Sequence, residues 1–443
     1  MWRPTEPAAM DLRQFLDEAH DVNALSRPAD LRFELPALAV QDETRPVVFE
    51  EPEGYPDWRA VANLVSSRDL IATSLDIDRE EVLAHVSGAM DDPTPLSDPG
   101  APSFEHVADD PTIDEEIPVP IFYERDEKRY FASTIVVAKD PDTGVHNLSF
   151  HRMMVDEGNR LVMRLVQRHL YDIVGRTDGD LEVAIVMGVH PAVELAAATS
   201  FSPDMSELEL ANALLDGEFR VAEHNGLLVP ADAEIVMDAR ITEENAPEGP
   251  FVDLSKTWDV VRDQPVVEVD ALYTRPDPLA RIIVPGKREH AHLMGIPQEP
   301  RIHRIVENTV PTVRNVVLTP GGCSWLHGVV QLEKRTEGDP KNAGMAALAA
   351  HPSMKKVTVV DEDVDPADPD DVEWAESTRC QPDQDVTIVE NADGSSLDPS
   401  QDYETETTSK WIVDATRPAD RDAADFDKVT IPGEEDIDVE DYR

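Results

Sequence analysis

Apolar and polar positions alternate between two periods along this chain, and the changes of period mark its organisation. In the first ninety residues the two are mixed. Leu12, Phe15 and Leu16 follow Asp11 at helical spacing, so a helix capped by Asp11 is predicted, and Pro46-Val47-Val48-Phe49 predicts a short buried strand. Residues 91–119 carry Pro93, Pro95, Pro99, Pro102 and Pro111 among many acids and predict a surface linker. From about 120 the texture is β-rich: a strand over 131–138, turn residues Asp140 to Gly144, and a returning strand over 145–150 predict a hairpin. Leu161, Leu165, Val166, Leu170 and Ile173 then fit a helix over 159–174, with His169 near its buried face. A nearly continuous apolar strand over 181–187 follows. Next come a helix from Ser206, with Glu209 as its capping partner, and strands near 219–223 and 233–241. The last third alternates strands (313–318, 356–360, 386–389) with helices (342–350, 372–378), a pattern that favours a parallel sheet. From Ala419 onward the chain is acidic and thinly apolar, as expected of a mobile or surface-hugging tail.

Length and charge sharpen this picture. At 443 residues there is room for two or three domains with substantial cores. The 91 acidic residues against 39 basic ones give a formal net charge of -52, which makes nucleic acid or an anionic membrane an unsuitable partner. The acids are spread throughout, and Lys is scarcer than Arg. Such self-repulsion suits molar salt, where the Debye length shrinks to about 3 Å, so a halophile's cytoplasmic protein is expected. With 41% hydrophobic residues the chain should fold around ordinary cores. Cys323 and Cys380 are too few for a disulfide framework and fit a reduced compartment. Neither a signal peptide nor a membrane-spanning apolar run is visible, which predicts a soluble protein.

Several residues are candidates for chemistry. Glu248 and Asp253 flank a Gly-Pro pair that forces a loop or extended turn, where one carboxylate could pair with a cation and the other donate a proton. The same residues also suit a plain acidic turn. Arg152, at the end of the predicted hairpin, could orient an acid substrate or pair with Glu248; equally, it could balance surface acids. Asn147, His169 and Glu223 offer an amide oxygen, an imidazole and a carboxylate acceptable to Mn²⁺ or Mg²⁺, without tight ligand spacing. Asp361-Glu362-Asp363 lies at the carboxyl end of a predicted strand, fit for a metal or for a solvated loop. Lys410, behind the hydroxyl-rich residues 405–409, suits a phosphate or a bare surface. There is no Gly-rich phosphate loop, Cys-x-x-Cys pair or nucleophile elbow, which argues against P-loop, zinc-finger and α/β-hydrolase chemistry.

Taken in order, these segments resemble the UbiD family of carboxy-lyases. The likeness rests on the Asp140 to Gly144 turn with Asn147, Ser149 and Arg152, and on residues 184–191, 229–236 and 248–253. It continues through residues 360–363 and 372–375, Ser396-Leu397-Asp398-Pro399, and Ser409-Lys410 leading to Asp414-Ala415-Thr416. The resemblance implies an α+β protein with a central flavin-reductase-like split β-barrel between two α/β domains, divided here as 1–110, 111–300 and 301–443. It implies a non-oxidative decarboxylase of an α,β-unsaturated or aromatic acid that uses prenylated FMN. Asn147, Ser149, Phe150, His151, Arg152 and Lys410 would contact the cofactor; Asn147, His169 and Glu223 would hold Mn²⁺ (or Mg²⁺) against its phosphate, with K⁺ nearby. Arg152, Glu248 and Asp253 would be the catalytic set. Asp253 stands where some relatives have Glu, so its reach is shorter, and the helix around His169 matches loosely. A flavin prenyltransferase would supply the cofactor, and a homo-oligomer is expected. Family substrates include anhydromevalonate phosphate in archaeal isoprenoid synthesis and prenylated hydroxybenzoates in quinone synthesis. Two rivals stand beside this reading: an FMN oxidoreductase on the same barrel, which would oxidise pyridine nucleotides, and an acidic assembly protein with no bound chromophore.

Overall fold

A computed structural model describes residues 10–431 apart from 20, 201 and 430. Its architecture is α+β: a nine-stranded, largely antiparallel sheet at the centre, a four-stranded mixed sheet near the amino terminus and a five-stranded mixed sheet near the carboxyl terminus. The amino-terminal unit forms as its pattern predicts. Asp11 accepts a hydrogen bond from the Gln14 amide and caps helix Leu12–Glu18, and Val47–Phe49 is a buried strand. No helix among the described residues is long and apolar enough to cross a membrane.

The central sheet begins inside the expected linker. Strand Glu105–Asp109 pairs with Arg262–Thr274, and helix Ile113–Glu116 follows, because the sheet offers an open edge that composition alone does not reveal. Ile135–Lys139 and His146–Phe150 form the predicted hairpin, closed by Gly144 at φ 76°. The helix predicted over 159–174 is instead strand Arg160–Met163 followed, after a turn, by helix His169–Arg176. Gly158, at φ 63°, turns the chain so that Arg160–Met163 pairs with Met153–Val155 on one side and with Arg262–Thr274 on the other. Long-range pairing overrides a helical period there.

Strand Leu181–Met187 is central and pairs with Ile235–Glu248 and Ile135–Lys139. One core lies on each face of this sheet; a third, which includes Phe49, Tyr130 and Phe251, joins it to the amino-terminal unit. The carboxy-terminal sheet is mixed rather than parallel. Val313–Leu318 and Val386–Asp393 run antiparallel to their neighbours at its two edges, while the three strands between them are parallel. After Ala419 the chain lies along the surface: Arg379 donates to the Phe426 carbonyl, and Arg417 and Lys428 pair with Asp427 and Asp371. The rest of the acidic tail falls outside the described residues.

Candidate active site

Arg152 occupies the turn between strands His146–Phe150 and Met153–Val155, and Glu248 ends the long strand Ile235–Glu248. Ninety-six positions apart in sequence, they meet side on: Nε and Nη2 of Arg152 donate to the two carboxylate oxygens of Glu248, each at 2.9 Å. Past Glu248 the chain turns through Gly249, at φ 108°, where a Cβ would sit 3.2 Å from the Val260 carbonyl oxygen. The short pair Phe251–Val252 with Trp258–Asp259 then brings two more acids to the same guanidinium. Nη1 donates to Asp253 at 3.0 Å and Nη2 to Asp259 at 2.9 Å, and the guanidinium lies 4.3 Å above the Phe251 ring. Burial opposes the charge on Arg152, but Glu248, Asp253 and Asp259 together raise its pKa above the ordinary value. Burial likewise pushes Asp259 up; hydrogen bonds and charges from Arg262 and Arg152 outweigh it and hold the acid at about 2. Glu248 is fully sealed, whereas the Asp253 side chain keeps 22% of its exposure.

This set faces a cleft with a cavity of about 320 Å³. One wall comes from the central sheet, with Phe150, His151, Arg152, Phe251 and Asp253; the opposite wall comes from the carboxy-terminal unit, with Trp325, Ser353 and residues 395–397. Asn147 and Ser149 share a face of strand His146–Phe150, and His151 follows just beyond its end. His151 Nδ1 donates to the Arg164 carbonyl at 3.0 Å, which leaves Nε2 to accept from Ser149 at 2.9 Å. Burial lowers the His151 pKa to about 4, so the ring is neutral near pH 7. Of the residues expected to touch a cofactor, Phe150, His151 and Arg152 line the cleft, and Ser149 supports them from behind. Lys410 is buried and donates to the Pro352 carbonyl, one residue from cleft-lining Ser353, without lining the cleft itself.

The expected metal ligands are brought together only in part. Asn147 and His169 border one small cavity beside the strand. Glu223 is the exposed residue of the hairpin strand Val221–His224 and does not line that cavity. Instead Glu207 reaches Asn147, whose Nδ2 donates to its carboxylate oxygens at 3.2 and 3.3 Å, while the Leu148 amide donates at 2.9 Å. Burial pushes Glu207 up to about 7. It is the first residue of helix Glu207–Leu214, capped by Ser206 through the Leu208 amide; attention to Glu209 as a capping partner passed over the acid two positions earlier. Among the described residues no three His, Cys, Asp or Glu side chains converge as a metal-binding group. The acidic trio divides: Asp361 is buried and Asp363 exposed, and both pair with the fully buried Arg379, with Arg417 adding a bond to Asp363, while Glu362 is exposed on the turn as a solvated loop would have it.

Sequence reasoning missed Asp259, Arg262 and Arg164. Arg262 clasps Asp259 at 2.5 and 2.9 Å, and Arg164 lines the cleft next to Arg152. The pairing of Phe251–Val252 with Trp258–Asp259, and of Glu248 with Arg262, places the first two there, and the Arg164 amide, donating to the Arg152 carbonyl at 3.0 Å, places the third. A Trp-Asp pair shortly after a Gly-Pro turn was the available signal.

Comparison with known proteins identifies the family. Three domains described for 3-octaprenyl-4-hydroxybenzoate carboxy-lyase match the chain: the N-terminal domain over residues 13–90, the Rift-related domain over 96–288 and the C-terminal domain over 291–415. The anhydromevalonate phosphate decarboxylase of Methanocaldococcus jannaschii is 42% identical over 91% of this chain and 96% of its own length, and that of Aeropyrum pernix is 38% identical over 95% and 96%. Among solved structures, the UbiD-class enzyme HmfF from Pelotomaculum thermopropionicum in complex with FMN superposes with a TM-score of 0.91 at 35% identity, covering 98% of this chain and all of that one. These relatives favour a decarboxylase over a hydride-transferring oxidoreductase or an assembly protein. A matching domain set along nearly the whole chain and relatives well above 30% identity, in a chain where an arginine meets two acids on one wall of a cleft, lead to one statement: the chain belongs to the UbiD family of carboxy-lyases.

Proposed function

We propose that this chain decarboxylates anhydromevalonate phosphate with the help of prenylated FMN. The observation that carries the reading is the meeting of Arg152, Glu248 and Asp253 at a cleft, in a chain similar along its length to archaeal anhydromevalonate phosphate decarboxylases. The cleft places Phe150, Phe251, Leu293 and Met294 beside the guanidiniums of Arg152 and Arg168, a lining that suits a flat, partly anionic ring system. When bound, prenylated FMN supplies an electron sink for the pair left behind as CO₂ departs. The chain's own residues do the rest. Arg152, locked by Glu248, orients the reacting acid with its remaining donor capacity. Asp253 borders the cleft and retains exposure, so it delivers the proton to the vacated carbon; sealed Glu248 positions Arg152.

The oxygen and imidazole donors of Asn147, His169 and Glu207 fit Mn²⁺ or Mg²⁺ against the cofactor phosphate, with Glu207 in place of Glu223 and K⁺ alongside. A buried carboxylate with no cationic partner among the described residues supports that choice. Lys410 would hold the carboxy-terminal unit close to the same phosphate. The net charge of -52 supports a salt-rich cytoplasm, where a flavin prenyltransferase provides the cofactor and the chain works as a homo-oligomer.

Production alongside a flavin prenyltransferase tests this reading. The purified protein should carry a small molecule with the mass of prenylated FMN and release one CO₂ per anhydromevalonate phosphate consumed. Pyridine-nucleotide oxidation without CO₂, or a protein lacking any chromophore, would overturn it.

A further inference from the structure

We propose that Arg164 is the specificity residue that receives the phosphate of the substrate. The inference rests on the reading of the substrate as a phosphorylated acid. In a chain with 91 acidic residues, guanidiniums near carboxylates readily find partners. Both neighbours of Arg164 on this wall have done so: Arg152 holds three acids, and Arg262 clasps Asp259 with two nitrogens. Arg164 has not. Among the described residues it forms no ion pair, and its side chain makes only two marginal contacts, from Nη1 to the Leu165 carbonyl and to Gln264 Oε1, both at 3.5 Å. Arg164 lines the cleft, and neither Nε nor Nη2 has a hydrogen-bond partner among the described residues.

The base beneath this side chain is rigid. The Arg164 amide donates to the Arg152 carbonyl at 3.0 Å, its own carbonyl accepts from His151, and the Leu165 amide donates to Gln264 at 2.7 Å. Burial first, then repulsion from Arg262 and Arg152, depresses the Arg164 pKa by more than Asp259 and Glu248 restore it. A planar, half-buried guanidinium held in place with free donors is a good receptor for a phosphate monoester, which carries about −1.5 to −2 charge at neutral pH.

Two other anions compete for this role. The reacting carboxylate loses its charge as CO₂ leaves and already has the spare donor of Arg152, whose charge three acids compensate, so a second, uncompensated cation on it would stabilise the ground state more than the transition state. A cation on the non-reacting end holds the substrate equally before and after the bond breaks and orients the reacting end. The phosphate of the flavin is the second competitor, and the experiment separates it.

The test compares holoenzyme carrying Arg164→Gln or Arg164→Lys with the unaltered holoenzyme, on anhydromevalonate phosphate and on the same acid without its phosphate. Arg164→Gln should raise KM for the phosphorylated acid about 30-fold, the loss expected of one charge-assisted contact, and leave kcat within a few-fold. It should leave kcat/KM for the unphosphorylated acid unchanged, with Arg164→Lys intermediate. Pentyl phosphate, an alkyl phosphate without a carboxylate, should bind the unaltered holoenzyme in a calorimetric titration and the Gln variant about 30-fold more weakly. Equal losses on both acids would assign Arg164 to the carboxylate or to structure and overturn the proposal. So would loss of bound flavin with phosphate discrimination intact. If the unaltered holoenzyme consumes neither acid, the functional reading fails as well, whereas turnover with unchanged discrimination in Arg164→Gln overturns the phosphate assignment alone.

Discussion

Arg152 and Arg281 are built from the same parts and serve different ends. The Arg281 side chain is fully buried: it bonds Glu194 at 2.7 and 2.9 Å, Glu289 at 2.7 and 3.1 Å, and the Ile282 carbonyl at 2.9 Å, so every N–H is used. Glu289 also accepts from the Asn63 and Val65 amides, tying the amino-terminal unit to helix Arg288–Gly295. Arg152 makes four such bonds, keeps one donor in hand, and lays one face on the Phe251 ring beside a cleft. A guanidinium closed on all sides holds domains together; one supplied with more acids than it needs, and open on one side, can exchange a partner with a substrate. Saturation and access, rather than the presence of an ion pair, separate structure from chemistry.

The largest expected effect breaks the open site alone. Asp253→Asn should lower decarboxylation by about 10²–10⁴-fold, measured as CO₂ release by flavin-loaded protein, while Glu248 and Asp259 keep Arg152 compensated and the unfolding midpoint nearly unchanged. The reverse substitution targets the closed site. Arg281→Met strands two buried carboxylates and should cost about 3–5 kcal/mol in denaturant unfolding, with turnover per folded molecule largely kept. If Arg281→Met instead abolished turnover without loss of stability, the contrast would collapse.

A smaller effect concerns protons. His151 beside Arg152 and His292 one turn from Glu289 are both lowered to about 4, in each case first by burial. For a histidine whose folded pKa lies below its unfolded value of 6.5, the stabilisation is complete above pH 6.5 and is lost as pH falls toward 4. Unfolding free energy should therefore decline over that window. His292→Asn, which cannot titrate there, should flatten the decline without touching the cleft; an unchanged slope would show that His292 is not a source of it.

The sequence made the open site more legible than the closed one. The predicted hairpin carried Asn147 and Arg152, and family motifs named Ser149, His151, Glu248 and Asp253. Asp259, Arg262 and Arg164 have no such signature, because register alone sets them beside Arg152. Glu207 hid inside an ordinary helix start, while Glu223, named by family likeness, is exposed on its hairpin. The helix predicted over 159–174 had a sound 3.6-residue period; a glycine turn and two waiting strand edges made it β instead. Local pattern reveals which residues share a face, and pairing across a hundred positions decides which faces meet.

The two walls of the cleft differ in origin: Arg152, Glu248, Asp253 and Asp259 all ride on the central sheet and its hairpins, while Ser353 and residues 395–397 arrive with the carboxy-terminal unit. Drawing that second wall aside would admit a bulky guest or release a gas molecule without parting any bond of the acid–guanidinium quartet. On the proposed assignment of Asp253, passage and proton delivery are thus mechanically separable.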